Sequence, residues 1–535
     1  MTTFFTPFFR AFACVAFLAA LWVPASTAQA QTTAFRQAVA EGAARDEAMA
    51  EFYRGRDFNG IWTGTTRADR ARRNALLAAF ASAGDHGLPA AMYDPDALMS
   101  RLQAANTPAE KGAMDVEMSR LFLSYARSIQ TGILTPSRVV AEIKREIPLR
   151  SRLGYLQSLE ASSPAAFLAA LPPSSPEYAR LLREKLTLER LLANGGWGPT
   201  VPGGAMEPGA SGTRVVALRD RLVAMGFMER SATQTYDATL QAAVQQFQQA
   251  HGLTPDGVAG AGTLREMNIS AAARLQQIIV AMERERWTNR PRGERHVWVN
   301  LTDFTAAIMD NDRVTFSTRS VIGALDSDRQ SPEFSDVMEF MVINPSWYVP
   351  RSIIVNEYLP ALQRNRNAVS HIEITDRNGR AINRGAVNFS QYNARTFPFS
   401  MRQPPSRGNA LGLVKFMFPN QYNIYLHDTP AKSLFGREVR AFSHGCIRLN
   451  DPFDFAYALL AVQETDPEAF FQQRLRSGSE SRVNLNNPVP VHIVYRTAFT
   501  HTTGQLNFRR DIYNRDSRIW AALANEGVAV RAIGG

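Results

Sequence analysis

The apolar residues of this 535-residue chain change their period near residue 290, and that change constrains the fold more than any other feature. From Thr33 to Trp287 the pattern is helical, with spacing near 3.6, as in Ala71–Phe80 and Leu181–Leu186. Beyond it the pattern becomes short alternating runs: 296–301, 305–309, 314–316, 320–323, 338–343, 413–418 and 491–495. A chain of this length exceeds one ordinary domain. The expected class is therefore multidomain α+β, a helical scaffold followed by a β-rich domain.

Breaker residues set the boundaries. Pro172-Pro173-Ser174-Ser175-Pro176 separates helices, and the Gly/Pro-rich stretch 195–212 reads as a linker. A compact helical unit follows over 213–270, then a connecting helix over 271–293 and the β-rich domain over 294–500. Residues 349–405 interrupt the strand pattern with a polar, helical stretch, expected to form a lid inserted over a site. Residues 31–194 form the scaffold, and 501–535 a C-terminal extension.

Composition excludes little. Hydrophobic residues at 45% and charged residues at 20% are ordinary for a folded protein. A net charge of +10 favours polyanionic surroundings. The arginines are scattered, however, and no Lys/Arg run with a reading motif points to nucleic acid. The N-terminus says more: Arg10 precedes the apolar run Ala11–Val23, and Ala28-Gln29-Ala30 offers a small-x-small cleavage pattern. Residues 1–30 are expected to be a secretory signal, with export to the periplasm and no membrane span left after cleavage.

Of two cysteines, Cys14 lies in that signal, so the mature chain keeps one thiol, Cys446. An exported protein with one cysteine cannot pair it internally. The thiol is then either a small buried hydrophobe or a reactive group. Its neighbourhood is Arg440-Ala441-Phe442-Ser443-His444-Gly445-Cys446-Ile447-Arg448-Leu449, preceded by Tyr425-Leu426-His427-Asp428-Thr429-Pro430. A thiol of ordinary pKa near ~8.5 is only slightly ionised at neutral pH, so a nucleophilic cysteine needs a base. His427 and His444 both qualify. In an extended chain His444 and Cys446 would point to one side, but Gly445 permits a local turn. His427 ends a strand-like run and could face Cys446 across adjacent strands. Spacing alone leaves both open.

The Ser-His-Gly-Cys motif with an upstream His-Asp-Thr-Pro closely resembles the L,D-transpeptidase catalytic domain. Asn344-Pro345-Ser346-Trp347-Tyr348-Val349-Pro350 and the helical N-terminal part resemble that family's large periplasmic, YcbB-like branch. Residues 213–268, with Phe247-Gln248, Gly252-Leu253 and Asp256-Gly257-Val258, resemble the peptidoglycan-binding domain 1 family, although Arg219 stands where that family usually has Gln. The resemblance implies that Cys446 is the nucleophile, His427 the base and His444 a supporting hydrogen-bond residue. It also implies oxyanion donors at the backbone of Gly445 and Cys446, with Ser443 and Asp428 in support. The Asp428 carbonyl would orient His427. The implied reaction joins peptidoglycan stem peptides: a tetrapeptide donor loses D-alanine, and the side-chain amine of a diamino-acid acceptor makes a 3→3 cross-link. Carbapenem-type compounds are expected inhibitors, and no metal or organic cofactor is implied.

Arg448 is a candidate for a substrate carboxylate, with a structural salt bridge as the competing reading. Trp347, Tyr422 and Tyr425 are candidates to line the cleft; for Trp347 and Tyr422, core packing competes. His86, His296, His371, His492 and His501 show no partner pattern and are expected to be structural or exposed. Three rivals remain: hydrolysis of the same thioester, a non-catalytic wall-binding scaffold on residues 213–268, and a zinc site from His427, Asp428, His444 and Cys446. The last lacks a familiar ligand spacing.

Overall fold

In the computed structural model the described residues are 24–501 and 504–532, with side chains from residue 31 onward. The expected signal segment falls mainly outside them. Among the described residues no helix is long and apolar enough to cross a membrane. The chain divides into two units, 1–133 with 149–174, and 134–148 with 175–535.

The first unit is helical. Its long helix Pro108–Thr131 starts at a capping box in which Thr107 and Glu110 satisfy each other's backbone donors, with proline at the first helical position. A second capping box, Thr66 with Asp69, opens Arg67–Ala81. Asp115, fully buried, accepts the backbone N–H groups of Ile61 (3.0 Å), Trp62 (2.9 Å) and Thr63 (2.8 Å) and the Tyr53 hydroxyl (2.8 Å). A buried carboxylate needs such partners, and here they pin a loop that has no secondary structure of its own.

In the second unit the helices Thr213–Ala224, Ala238–Ala250 and Ala261–Met267 form the small module around Leu218, Leu222, Val244 and Phe247. Its characteristic residues are structural. The Gln248 amide donates to Asp256 (2.7 Å) and Thr263 (3.1 Å) and accepts from Gly257 (2.9 Å). The divergent Arg219 is buried and donates to the carbonyl of Thr235 at 2.8 Å. The connecting helix Ala271–Trp287 is buried on nearly all sides. Its Arg284 pairs with Glu333 (2.6 Å) and Asp516 (2.7 Å), joining it to the strand domain and the C-terminal helix Arg515–Asn525.

The β-rich domain holds a nine-stranded sheet in the order 441–443, 313–323, 447–449, 426–427, 414–417, 334–343, 481–494, 295–300 and 305–310. The last strand also pairs with Arg313–Gly323, so the sheet closes on itself and leaves little free edge. Its inward positions, among them Val297, Val299, Met341, Phe416, Leu426, Ile447 and Ile493, form one core. The 349–405 stretch is more than a helical lid. With Trp347 and Tyr348 it builds a three-stranded sheet (347–348, 400–403, 373–375) and a core of its own around Ile353, Leu359, Phe389, Phe397 and Met401. Its strands are too short, and its sequence too polar, for an alternating pattern to announce them.

Candidate active site

Two short parallel strands carry the site. Leu426–His427 pairs with Ile447–Leu449 in a register that sets Leu426 opposite Ile447 and His427 opposite Arg448, and the N–H of Ile447 donates to Tyr425. Because side chains alternate along a strand, Tyr425, His427, Cys446 and Arg448 project from one face. His427 and Cys446 are thus brought together, but on a diagonal. Tyr425 stands beside the cysteine, and His427 lies two residues farther along.

Cys446 is half-buried. Its Sγ donates to the Asn423 carbonyl at 3.5 Å and shares a side-chain hydrogen bond with Tyr425. Burial pushes its thiol pKa up to about 11, partly offset by the contacts with Tyr425 and by the charge of Arg448. His427 is buried, and its Nδ1–H donates to the Asp428 carbonyl at 2.5 Å. A carbonyl can only accept, so this bond fixes the tautomer and leaves Nε2 with the free lone pair. Burial and then the Arg448 charge depress the His427 pKa to about 3. The resting pair is therefore a neutral thiol and a neutral imidazole.

The turn before the cysteine is held from within. Ser443 donates its hydroxyl to the Cys446 carbonyl at 2.5 Å and accepts the N–H of Gly445 at 3.1 Å, while Ser331 donates to the Gly445 carbonyl at 2.6 Å. Gly445 has φ +112, which a side chain would oppose. The Gly445 N–H, one of the two expected oxyanion donors, donates to the Ser443 hydroxyl here, as the turn closes on that side chain. The N–H of Cys446 donates to none of the described residues.

His444 points away from the thiol. Its Nε2–H donates to Glu357 Oε1 at 2.6 Å, on the single π-helical turn Ile354–Tyr358 of the inserted subdomain. Sequence reasoning missed Glu357, whose only signal was its place within the insertion. The Asp428 carboxylate accepts from Leu413 N–H and Lys432, each at 2.9 Å, so its side chain braces the loop while its carbonyl holds the histidine.

Among the described residues no carboxylate pairs with Arg448, and its buried Nε lacks a hydrogen-bond partner. Trp347 belongs to the insertion's core yet shares a side-chain hydrogen bond with Tyr425. Tyr425 packs on both cores and raises its own pKa through burial and its contact with Cys446. Tyr422 takes the core reading: its ring meets Phe334 edge-on at 5.0 Å. His492 and His296 are buried and hydrogen-bonded to backbone carbonyls, as structural residues would be. Among the described residues no three His, Cys, Asp or Glu side chains gather as a metal site would require. A cavity of about 1000 Å³ lies beside the site, lined by Asp428, Lys432, Phe453 and Arg476 and not by Cys446.

The family model of the L,D-transpeptidase catalytic domain matches residues 294–484, a scaffold-domain model matches 47–186, and that of a "Putative peptidoglycan binding domain" matches 211–267. A Haemophilus influenzae protein named "Putative L,D-transpeptidase" is 27% identical over 248 residues. That alignment spans 46% of this chain and 50% of the relative, so the chain matches about half of that protein's length. Solved structures of L,D-transpeptidases from Xylanimonas cellulosilytica (15% identity, 56% of this chain and 98% of that one, TM-score 0.17) and Stackebrandtia nassauensis (13%, 56% and 97%, TM-score 0.22) are also similar. The chain carries an L,D-transpeptidase catalytic domain, preceded by a scaffold domain and a peptidoglycan-binding domain.

Proposed function

We propose that the protein is an exported, cysteine-dependent L,D-transpeptidase that forms 3→3 peptidoglycan cross-links. The observation that carries this reading is the alignment of Cys446 and His427 on one sheet face, with the imidazole tautomer fixed by the Asp428 carbonyl.

Both groups rest neutral, so the thiol proton passes to Nε2 of His427 as Sγ attacks the carbonyl between the diamino acid's L-centre and D-alanine. The Cys446 N–H faces the developing oxyanion. Collapse returns the proton to the departing D-alanine amine and leaves a thioester. The side-chain amine of a second stem then attacks, His427 accepts its proton, and the thiol is regenerated. Arg448, cationic and without a carboxylate partner among the described residues, suits a substrate carboxylate. The domain over 211–267 supports attachment to the wall, and wall substrates support an extracytoplasmic, periplasmic location.

Intact-mass analysis after carbapenem exposure tests the nucleophile: the reading expects one adduct on Cys446, absent in Cys446→Ala. Incubation with tetrapeptide muropeptides tests the acceptor. Cross-linked dimer supports transfer, while monomeric tripeptide alone would overturn it in favour of hydrolysis.

A further inference from the structure

Behind the loop that abuts the thiol lies a second cavity, of about 440 Å³, whose most prominent charges are Lys144, Arg145 and Arg290. It is built from distant sequence. Residues 134–148 fold into the second unit, where Ile143 bridges Glu333 in parallel and Lys144 N–H donates to the Glu333 carbonyl at 2.8 Å. That pairing delivers Lys144 and Arg145 beside the packed Phe334–Tyr422 pair at the cavity floor.

The cations are not there to neutralise neighbours. Arg145, buried, bonds only neutral acceptors, the Ser335 hydroxyl (2.8 Å) and the Ile493 carbonyl (3.0 Å). The Ser335 hydroxyl in turn donates to His492 Nδ1 (2.8 Å), whose Nε2–H donates to the Arg292 carbonyl (2.9 Å). That chain needs a neutral imidazole, and burial depresses the His492 pKa to about 3. The nearest buried acid, Glu333, is taken by Arg284 and Arg515. Burial and the crowding of Arg496, Arg290 and Arg284 hold Arg145 down to about 10, against the pull of Glu333. Neither Lys144 nor Arg290 has a side-chain partner among the described residues. Two acids reach the cavity: Asp336, which accepts the N–H of Val337 at 2.8 Å, and Glu146, which is exposed at the rim. The net balance is cationic.

We propose that this cavity is an anion-binding exosite that seats a carboxylate of an acidic peptide, separated from Cys446 by the Asn420–Asn423 loop. The loop has one side in each place. Asn420 and Tyr422 line the cavity, whereas the Asn423 carbonyl accepts from the thiol. Asn420 also pins the turn through Tyr422 and Ile424, and Asn423 holds φ +55, so the loop has one defined shape to transmit. A carboxylate matches Lys144 and Arg290 as a charge-assisted acceptor. The choice of a peptide rests on the wall-enzyme reading above; the anion preference does not.

Calorimetric titration of the full chain carrying Cys446→Ala tests it, using a short acidic peptide, its amidated analogue and inorganic phosphate. We expect salt-sensitive binding of the acidic peptide, weakened about tenfold or more by amidation or by Lys144→Gln with Arg290→Gln. Both side chains are exposed and make no fold contact among the described residues, and thermal melting of the double variant checks this. Undiminished binding by the double variant, or by the amidated peptide, overturns the proposal. Loss with Arg448→Gln instead places the peptide in the catalytic cleft and also overturns it. Phosphate binding as tight as the peptide's overturns the peptide assignment. Carbapenem adduct formation on the double variant with Cys446 intact reports the catalytic reading separately, so either can fail alone.

Discussion

His444 Nε2 and Glu357 Oε1 lie 2.6 Å apart, tying the turn that carries the nucleophile to the subdomain inserted at 349–405. The two side chains are 37% and 46% exposed, so the pair contributes at most ~1 kcal/mol to stability. Its consequence is access. Glu357→Gln is expected to leave the melting temperature within a few degrees while bulky thiol reagents modify Cys446 several-fold faster. A lower melting temperature with unchanged reactivity would contradict the latch.

The raised thiol pKa sets a pH signature. With the Cys446 pKa near 11, the thiolate fraction rises tenfold per pH unit throughout the neutral range. Alkylation by a small neutral reagent should therefore climb about tenfold per unit from pH 6 to 9. A plateau in that range would mean a preformed thiolate–imidazolium pair.

Buried neutral histidines tie stability to pH. The folded pKa of His427, about 3, lies below the ordinary value of 6.5, as does that of His492. The unfolded chain then binds the protons first, so stability is present above pH ~6.5 and falls as pH drops toward 3, by up to ~1.4 kcal/mol per unit for each group. Denaturant midpoints across pH 4–7 check this, and His427→Asn should flatten the slope.

Tyr425→Phe deletes a hydroxyl that touches both Cys446 and Trp347. Its hydrogen bond lowers the thiol pKa, so the variant should show slower alkylation at pH 7 and lose ~1 kcal/mol of stability. Equal reactivity would assign Tyr425 to packing alone.

Gly412 holds φ +61, and a Cβ there would come within 2.2 Å of the Asp428 carboxylate. Gly412→Ala should cost ~2 kcal/mol or more and displace the residue whose carbonyl orients His427, with loss of acylation. Gly436, which faces open space, is the control: Gly436→Ala should change neither measurement.

Much of this was legible without coordinates, because it rests on local pattern. The helices of 213–267 follow from Leu218, Leu222, Val244 and Phe247 at core spacing, and the strands near 296–301, 338–343 and 491–495 from their apolar runs. The thiol and its two candidate histidines were visible as residue types. What stayed hidden depends on partners far away in sequence. The three-stranded sheet of the insertion joins residues 347, 374 and 401 through strands of two to four residues. That Arg448 has no carboxylate partner among the described residues is likewise a fact of its three-dimensional surroundings.

The sequence alone determined that one cysteine lies beyond residue 30, in a Ser-His-Gly-Cys turn downstream of His-Asp-Thr-Pro, in a chain that turns from helix to strand near residue 290. Spacing along the chain left the two histidines equivalent, and the tertiary structure gives them different places. His427 enters the sheet two residues from the cysteine's cross-strand position with its tautomer set by Asp428, while His444 turns out to Glu357. Strand register and turn direction decided this. Both are set by hydrogen bonds among residues about twenty to ninety positions apart, which spacing along the chain does not record.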